Sequence, residues 1–184
     1  AVKAAFKSRP KDLVSVYFIN ELNREIADLI VYCQNKKLFI KCTDSNEIER
    51  IAHSDHTEGI CAIFNRPEIV PLEHFRFPAI NKASSLIVLD GVGNPHNIGA
   101  IARSAAYFGV DAVILTAATE GLYSSSMYRI AEGGLEFVPV LSANNLSDCL
   151  NKLNELEYEI ISSSSHASES VYNYKFDKRS AFLF

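Results

Sequence analysis

Residues Leu86-Ile87-Val88-Leu89-Asp90-Gly91-Val92-Gly93-Asn94-Pro95-His96-Asn97-Ile98-Gly99-Ala100-Ile101-Ala102-Arg103-Ser104, running on to Phe108-Gly109, decide how this chain folds. The apolar run Leu86 to Leu89 ends at Asp90, the pattern of a buried parallel strand. Gly91 and Gly93 permit a sharp loop. A helix start follows in one of two registers: Asn94 as cap with Pro95 in the first turn, or Asn97 as cap. Ile98, Ile101, Ala105 and Phe108 recur at helical spacing, and Gly109 stops the helix. Polar residues thus gather on a loop at the carboxyl end of a strand, beside a helix amino terminus, where open parallel sheets bind ligands. A dinucleotide-binding glycine loop does not fit. His96 stands where the third glycine belongs, and Asp111 opens the next apolar run (Ala112 to Leu115) instead of closing it.

The segment resembles the first motif of the SpoU (TrmH-type) RNA ribose methyltransferases of the SPOUT superfamily. Asn94-Pro95-His96-Asn97-Ile98-Gly99 and Arg103 carry the likeness, and Phe108-Gly109-Val110 match the helix end. It covers about residue 85 to the end of the chain and, more loosely, the domain before it. The fold class it implies is α/β: a small α/β RNA-binding domain like certain ribosomal proteins, then an incomplete parallel-sheet SPOUT (α/β knot) domain.

Composition is that of an ordinary globular chain: 184 residues, 48% apolar and 22% charged. Such a length holds one large or two small domains. No apolar run is long enough to span a membrane and no signal peptide is visible; a cytoplasmic location is expected from the cysteines, read as reduced thiols. Cys33, Cys42, Cys61 and Cys149 are scattered, without zinc spacing. Buried reduced thiols are expected and no metal, with His53 and His56 incidental to a loop. The net charge of −4 argues against indiscriminate nucleic-acid binding but leaves room for a shaped site. Basic clusters stand at Lys3, Lys7, Arg9 and Lys11, and at Lys36, Lys37 and Lys41. Either they face solvent or they face RNA.

In chain order, residues 1–65 read as an α/β domain. Val2 to Lys7 is helical and Val14 to Ile19 a strand; Ile26, Leu29, Ile30 and Cys33 stripe a helix, and Leu38 to Cys42 is a strand. Asp44 and Glu47 form a capping box for a helix carrying Ile48 and Ile51, and Gly59 to Phe64 is a strand. Residues 66–84, with Pro67, Pro71 and Pro78, read as a linker whose Phe75 and Phe77 pack back on one domain. From 85 to 184 strands and helices alternate. The strands are 86–90, 112–116, 136–140, 159–162 and a closing run 180–184; Leu146, Leu150, Leu153 and Leu156 stripe a helix.

The resemblance assigns the site. Asn97 and Arg103 are the catalytic pair, against plain readings as a helix cap and a solvent-facing arginine. Arg103 would hold an RNA phosphate. The family proposal that it accepts the hydroxyl proton is chemically harder, because a guanidinium rarely deprotonates; stabilising a developing alkoxide is easier. Ser163 and Ser164, in the run Ser162 to His166, fall where the family contacts the adenosine of S-adenosylmethionine; the plain reading is a polar loop. Asn94, His56 and Glu58 are the expected RNA contacts, His56-Thr57-Glu58-Gly59-Ile60 resembling the turn of the family's substrate-binding domain. Gly133-Gly134 resembles the family's Ser-x-Gly-Ala element, with Ala131 in place of the serine.

The function implied is S-adenosylmethionine-dependent 2′-O-ribose methylation of tRNA or rRNA. The full-length protein is expected to be a homodimer, and the family's last two motifs would follow Phe184, so these residues are expected to be inactive alone. The alternative is a non-catalytic RNA-binding or ribosome-assembly protein that keeps the fold.

Overall fold

The computed structural model of the protein describes residues 1–67, 69–116, 124–164, 166–167 and 170–184. Two units divide at Pro67 and Glu68. In the first, α1 (Val2–Ser8) leads into β1 (Leu13–Phe18), followed by α2 (Ala27–Lys36), β2 (Phe39–Cys42), α3 (Ser45–Ala52) and β3 (Ile60–Phe64). β1 is central, parallel to β2 (Ser15 opposite Phe39) and antiparallel to β3 (Phe18 opposite Ile60). Val16 and Phe18 pack on Leu29 and Cys33 of α2, so the 3.6 and 2.0 periodicities meet in one core. Only half of the expected capping box forms. Asp44 accepts the Glu47 N–H at 2.9 Å, but the Glu47 carboxylate accepts from Lys41 Nζ at 2.7 Å and from the Thr43 hydroxyl. A charge-assisted bond outcompetes the reciprocal backbone contact, and these partners hold the Glu47 carboxyl below its ordinary range.

The second unit contains β4 (Val70–Pro71), β5 (Ser84–Leu89), α4 (Pro95–Phe108), β6 (Ala112–Leu115), α5 (Ser125–Ala131), β7 (Val140–Ser142), α6 (Leu146–Glu155), β8 (Glu159–Ser162) and β9 (Arg179–Leu183). The order across the sheet is β4-β7-β6-β5-β9-β8, and each pairing is parallel. Alternation sorts the strand residues. Leu86, Val88, Ala112 and Ile114 face Cys149 and Leu153 of α6, whereas Leu89, Val113 and Leu115 face Ile98 and Ala105 of α4 and Met127 of α5. The α/β class with a parallel sheet is as expected.

Several details differ from the sequence reading. The strand expected over 136–140 is instead a 3-10 turn, Gly134–Glu136, and pairing begins only at Val140. Gly133 (φ 97) starts that turn, and Pro139 has no N–H to offer a ladder. Within residues 66–84, read as a linker, Phe75 and Phe77 pack back on one core as expected, but β4 also joins the sheet and Leu72 is buried. Phe108 leaves the apolar stripe at 78% exposed. The chain reverses at Gly109 (φ 70), and Val110, whose N–H bonds to Ala105, turns into the core in its place. Cys33 and Cys149 are buried, but Cys42 lies exposed on β2. No described helix is long and apolar enough to cross a membrane.

Candidate active site

The loop after β5 is tied to both neighbouring strands. The Asp90 N–H donates to the Phe184 carbonyl at 2.9 Å, and the Asp90 carboxylate accepts the buried Thr116 hydroxyl. From that anchor Gly91 takes a left-handed φ of 68, and the chain enters α4. Of the two helix registers the first is formed. The Asn94 side chain accepts the His96 N–H at 2.9 Å, and Pro95 sits in the first turn, where its missing donor costs nothing. Asn97 is thereby released from capping. It is exposed, with no side-chain hydrogen bond to another described residue.

Arg103 lies six residues beyond Asn97. That step is about 9 Å along a helix and about 120° around it, so spacing alone does not put the two on one face. What fixes Arg103 is the packing behind it. A Cβ added to Gly99 would lie 2.6 Å from the Met127 carbonyl, and one added to Gly134 would lie 2.7 Å from Arg103 Cα. These two glycines let α5 and the following turn press directly on the α4 backbone. Glu132, left-handed at φ 49, is presented there, and its carboxylate accepts Arg103 Nη1 at 2.9 Å. The pair is open, the side chains being 51% and 68% exposed. An exposed ion pair is weak, so the guanidinium stays available to a competing anion. Glu132 was not singled out from the sequence; an acid just before Gly133-Gly134 was its only signal. Ala131 is fully buried, so the serine of the family pattern would place a hydroxyl in a dry site.

The other candidates are spread out. Ser163 and Ser164 follow β8 at the carboxyl edge of the sheet, separated from β5 by β9. Both are exposed, and the Ser164 hydroxyl accepts the His166 N–H at 3.2 Å. Ser165 of the same run lies outside the described residues. His56 and Glu58 belong to the first unit. His56 is exposed beside Asp55, and Glu58 (φ 50) shapes the turn that brings Gly59 against Ile19. Two cavities are formed by described residues. One, about 210 Å³, lies between Leu72 and α6; the other, about 350 Å³, lies at the amino ends of β5 and β9 beside Asp111. Neither is lined by Asn94, Asn97, Arg103, Ser163 or Ser164.

Residues 84–184 match the profile of the SpoU rRNA Methylase family, and residues 1–70 match that of the RNA 2′-O ribose methyltransferase substrate-binding domain. An uncharacterized tRNA/rRNA methyltransferase of Haemophilus influenzae is 32% identical over 178 residues, covering 97% of this chain and 49% of that protein. The chain spans about half the length of the curated relatives it matches. The crystal structure of an rRNA methyltransferase from Sinorhizobium meliloti superposes with a TM-score of 0.78 at 18% identity, over 100% of this chain and 68% of that one. Its AdoMet-bound form superposes equally well, at 0.78 and 17% identity, over 100% and 67%. At such identities the likeness is one of fold.

Proposed function

The chain belongs to the SpoU rRNA methylase family, and from that premise we propose that it serves S-adenosylmethionine-dependent methylation of a ribose 2′-hydroxyl in tRNA or rRNA. The observation that carries this reading is the open Arg103–Glu132 pair, held over two glycine contacts on the helix that Asn94 caps. A phosphate presents two or three oxygens to a guanidinium and binds it bidentately, where Glu132 now holds it through one nitrogen. Arg103 then fixes the ribose by its phosphate and lends positive charge to the 2′-oxygen as its proton leaves. Glu132 acts as a positioning residue, keeping the guanidinium extended until RNA arrives. Asn97, uncommitted as a cap, supplies one donor and one acceptor to orient the nucleotide, and Asn94 stands beside it at the helix entrance.

The hydroxyls and backbone amides of Ser163 and Ser164 have the right chemistry for the adenosine end of the methyl donor, and they open onto the same sheet edge as the Asn94 loop. When bound, S-adenosylmethionine supplies an electrophilic methyl on a positively charged sulfur. A second reading is RNA binding or assembly without catalysis.

Tritiated S-adenosylmethionine and RNA, added to the full-length protein that contains this chain, test both. Label in alkali-resistant dinucleotides is the expected product, and Arg103→Ala abolishes it while donor binding, read by isothermal titration, survives. Label confined to bases, or an active Ala variant, overturns the ribose mechanism. Absence of donor binding selects the assembly reading.

A further inference from the structure

The first unit is electrically lopsided along its strands. At the amino ends of β1 and β2 and the carboxyl end of β3 stand Lys7, Arg9, Lys11, Lys36, Lys37 and Arg66. Contacts draw this end together: Arg9 Nη1 donates to the Asn65 carbonyl at 2.8 Å, Asn65 N–H to Asp12 at 2.7 Å, and the Tyr32 hydroxyl to Pro10 at 3.0 Å. Asp12 is the acid here, 3.8 Å from Arg9. Lys7, Lys11, Lys36 and Lys37 are exposed and enter no ion pair among the described residues. The opposite end of the same sheet, where Glu58 opens the turn into β3, carries Glu21, Asp44 and Glu47 as well. Its cations are Lys41 and Arg50, both facing Glu47, and the exposed Arg24.

Beside the lysines the edge strand β2 is exposed. Phe39 follows Lys36-Lys37-Leu38 directly and is 55% exposed; its ring lies 5.5 Å from that of Tyr17. Ser15, itself buried, pairs with Phe39 on one side and Ile63 on the other, and Ile63 is 43% exposed, so an exposed apolar side chain stands on each strand beside β1. Favourable dipole contacts at the ends of α1 and α2 account for Lys7 and Lys36. They do not account for Lys11, nor for the Phe39 ring left in solvent beside half-buried Tyr17.

We propose that this basic end, not the Glu58 turn, is where the first unit grips RNA, and that it takes unpaired nucleotides: a base stacks on Phe39 and Tyr17 while Lys11, Lys36 and Lys37 hold the flanking phosphates. Flat rings beside unpaired cations are what single strands need, since every base has a stacking face and every linkage a charge. The inference rests on the RNA-directed reading of the chain and names the surface and the strandedness that reading leaves open.

The test is fluorescence anisotropy of the whole chain with a labelled oligouridylate of about 12 nucleotides and a blunt RNA duplex of equal length. Lys36→Gln with Lys37→Gln should weaken oligouridylate binding about tenfold and flatten the log–log salt slope by about 1.4. Phe39→Ala should weaken it about tenfold with little change of slope, and Phe39→Tyr should restore it. Lys152→Gln, on α6 of the second unit, serves as the control, and circular dichroism checks that each variant is folded. No binding by the unaltered chain, equal affinity for the duplex, or wild-type binding by the Lys and Phe39 variants overturns the proposal. Arg103-dependent methyl transfer surviving any of these results leaves the functional reading standing.

Discussion

The two sheets of this chain are built to opposite specifications. In the second unit β6 is buried along its whole length, and β5 feeds one core with Leu86 and Val88 and another with Leu89. In the first unit β2 has no fully buried residue and β3 is half-buried. A parallel sheet covered on both faces cannot flex without opening two cores, so the loops at its carboxyl edge are held in place. A small mixed sheet whose outer strands are only partly covered offers contact area instead of precision. The difference matches a division of labour: the second unit positions a few atoms, and the first provides surface.

That contrast can be broken at its glycines. Gly134→Val drives a side chain into the Arg103 backbone, which cannot yield, and should destabilise the second unit by about 4 kcal/mol. Gly59→Ala in the first unit meets only the flexible end of Ile19 and a φ of 73, and should cost about 1–2 kcal/mol. Urea unfolding of both variants reads the difference; equal losses would remove the argument that the first sheet is the more yielding.

Arg179 tests how firmly residues 66–84 belong to the second unit. It is 4% exposed and donates to the carbonyls of Leu156, Pro78 and Ala79 at 3.0–3.1 Å, stacked 4.1 Å above Tyr158. Its Nη2 is buried without a described partner. Arg179→Met should cost about 3 kcal/mol, because three carbonyls lose their donor. Hydrogen exchange should rise around residues 78–84 first.

Smaller effects follow. Asp44→Ala removes the cap of α3 and should cost about 1 kcal/mol in thermal melts. Burial pushes the Cys149 thiol up to about 11, so at pH 8 it should react with a disulfide reagent at least about 100-fold more slowly than exposed Cys42. Between its ordinary value and about 11, the unfolded chain has lost that proton and the folded chain has not. Unfolding then releases a proton, and the Cys149 contribution to stability falls as pH rises through that window. Equal labelling rates in folded protein would contradict the buried placement.

Local rules carried most of the fold. Apolar runs marked strands β5, β6 and β8; Gly109 marked the end of α4, and of the two starts left open the structure forms the Asn94-Pro95 one, because caps act within one turn. The errors share a cause. The 136–140 strand and the place of Phe108 on the buried stripe were both judged from apolar pattern, which marks burial without saying against what; β4 was hidden by the prolines from which 66–84 was read as a linker.

By itself the sequence determined most of the order of strands and helices, and it set Arg103 on the helix that follows the Asn94–Asn97 loop at the carboxyl end of a parallel strand, since these follow from short-range sterics and periodicity. Only the tertiary structure decided that Glu132 holds Arg103, that Gly99 and Gly134 are spaces for a neighbouring backbone, and that the lysines of the first unit gather at one end of its sheet. Those depend on which distant segments touch, and no single stretch of chain encodes the partner that packing brings to it.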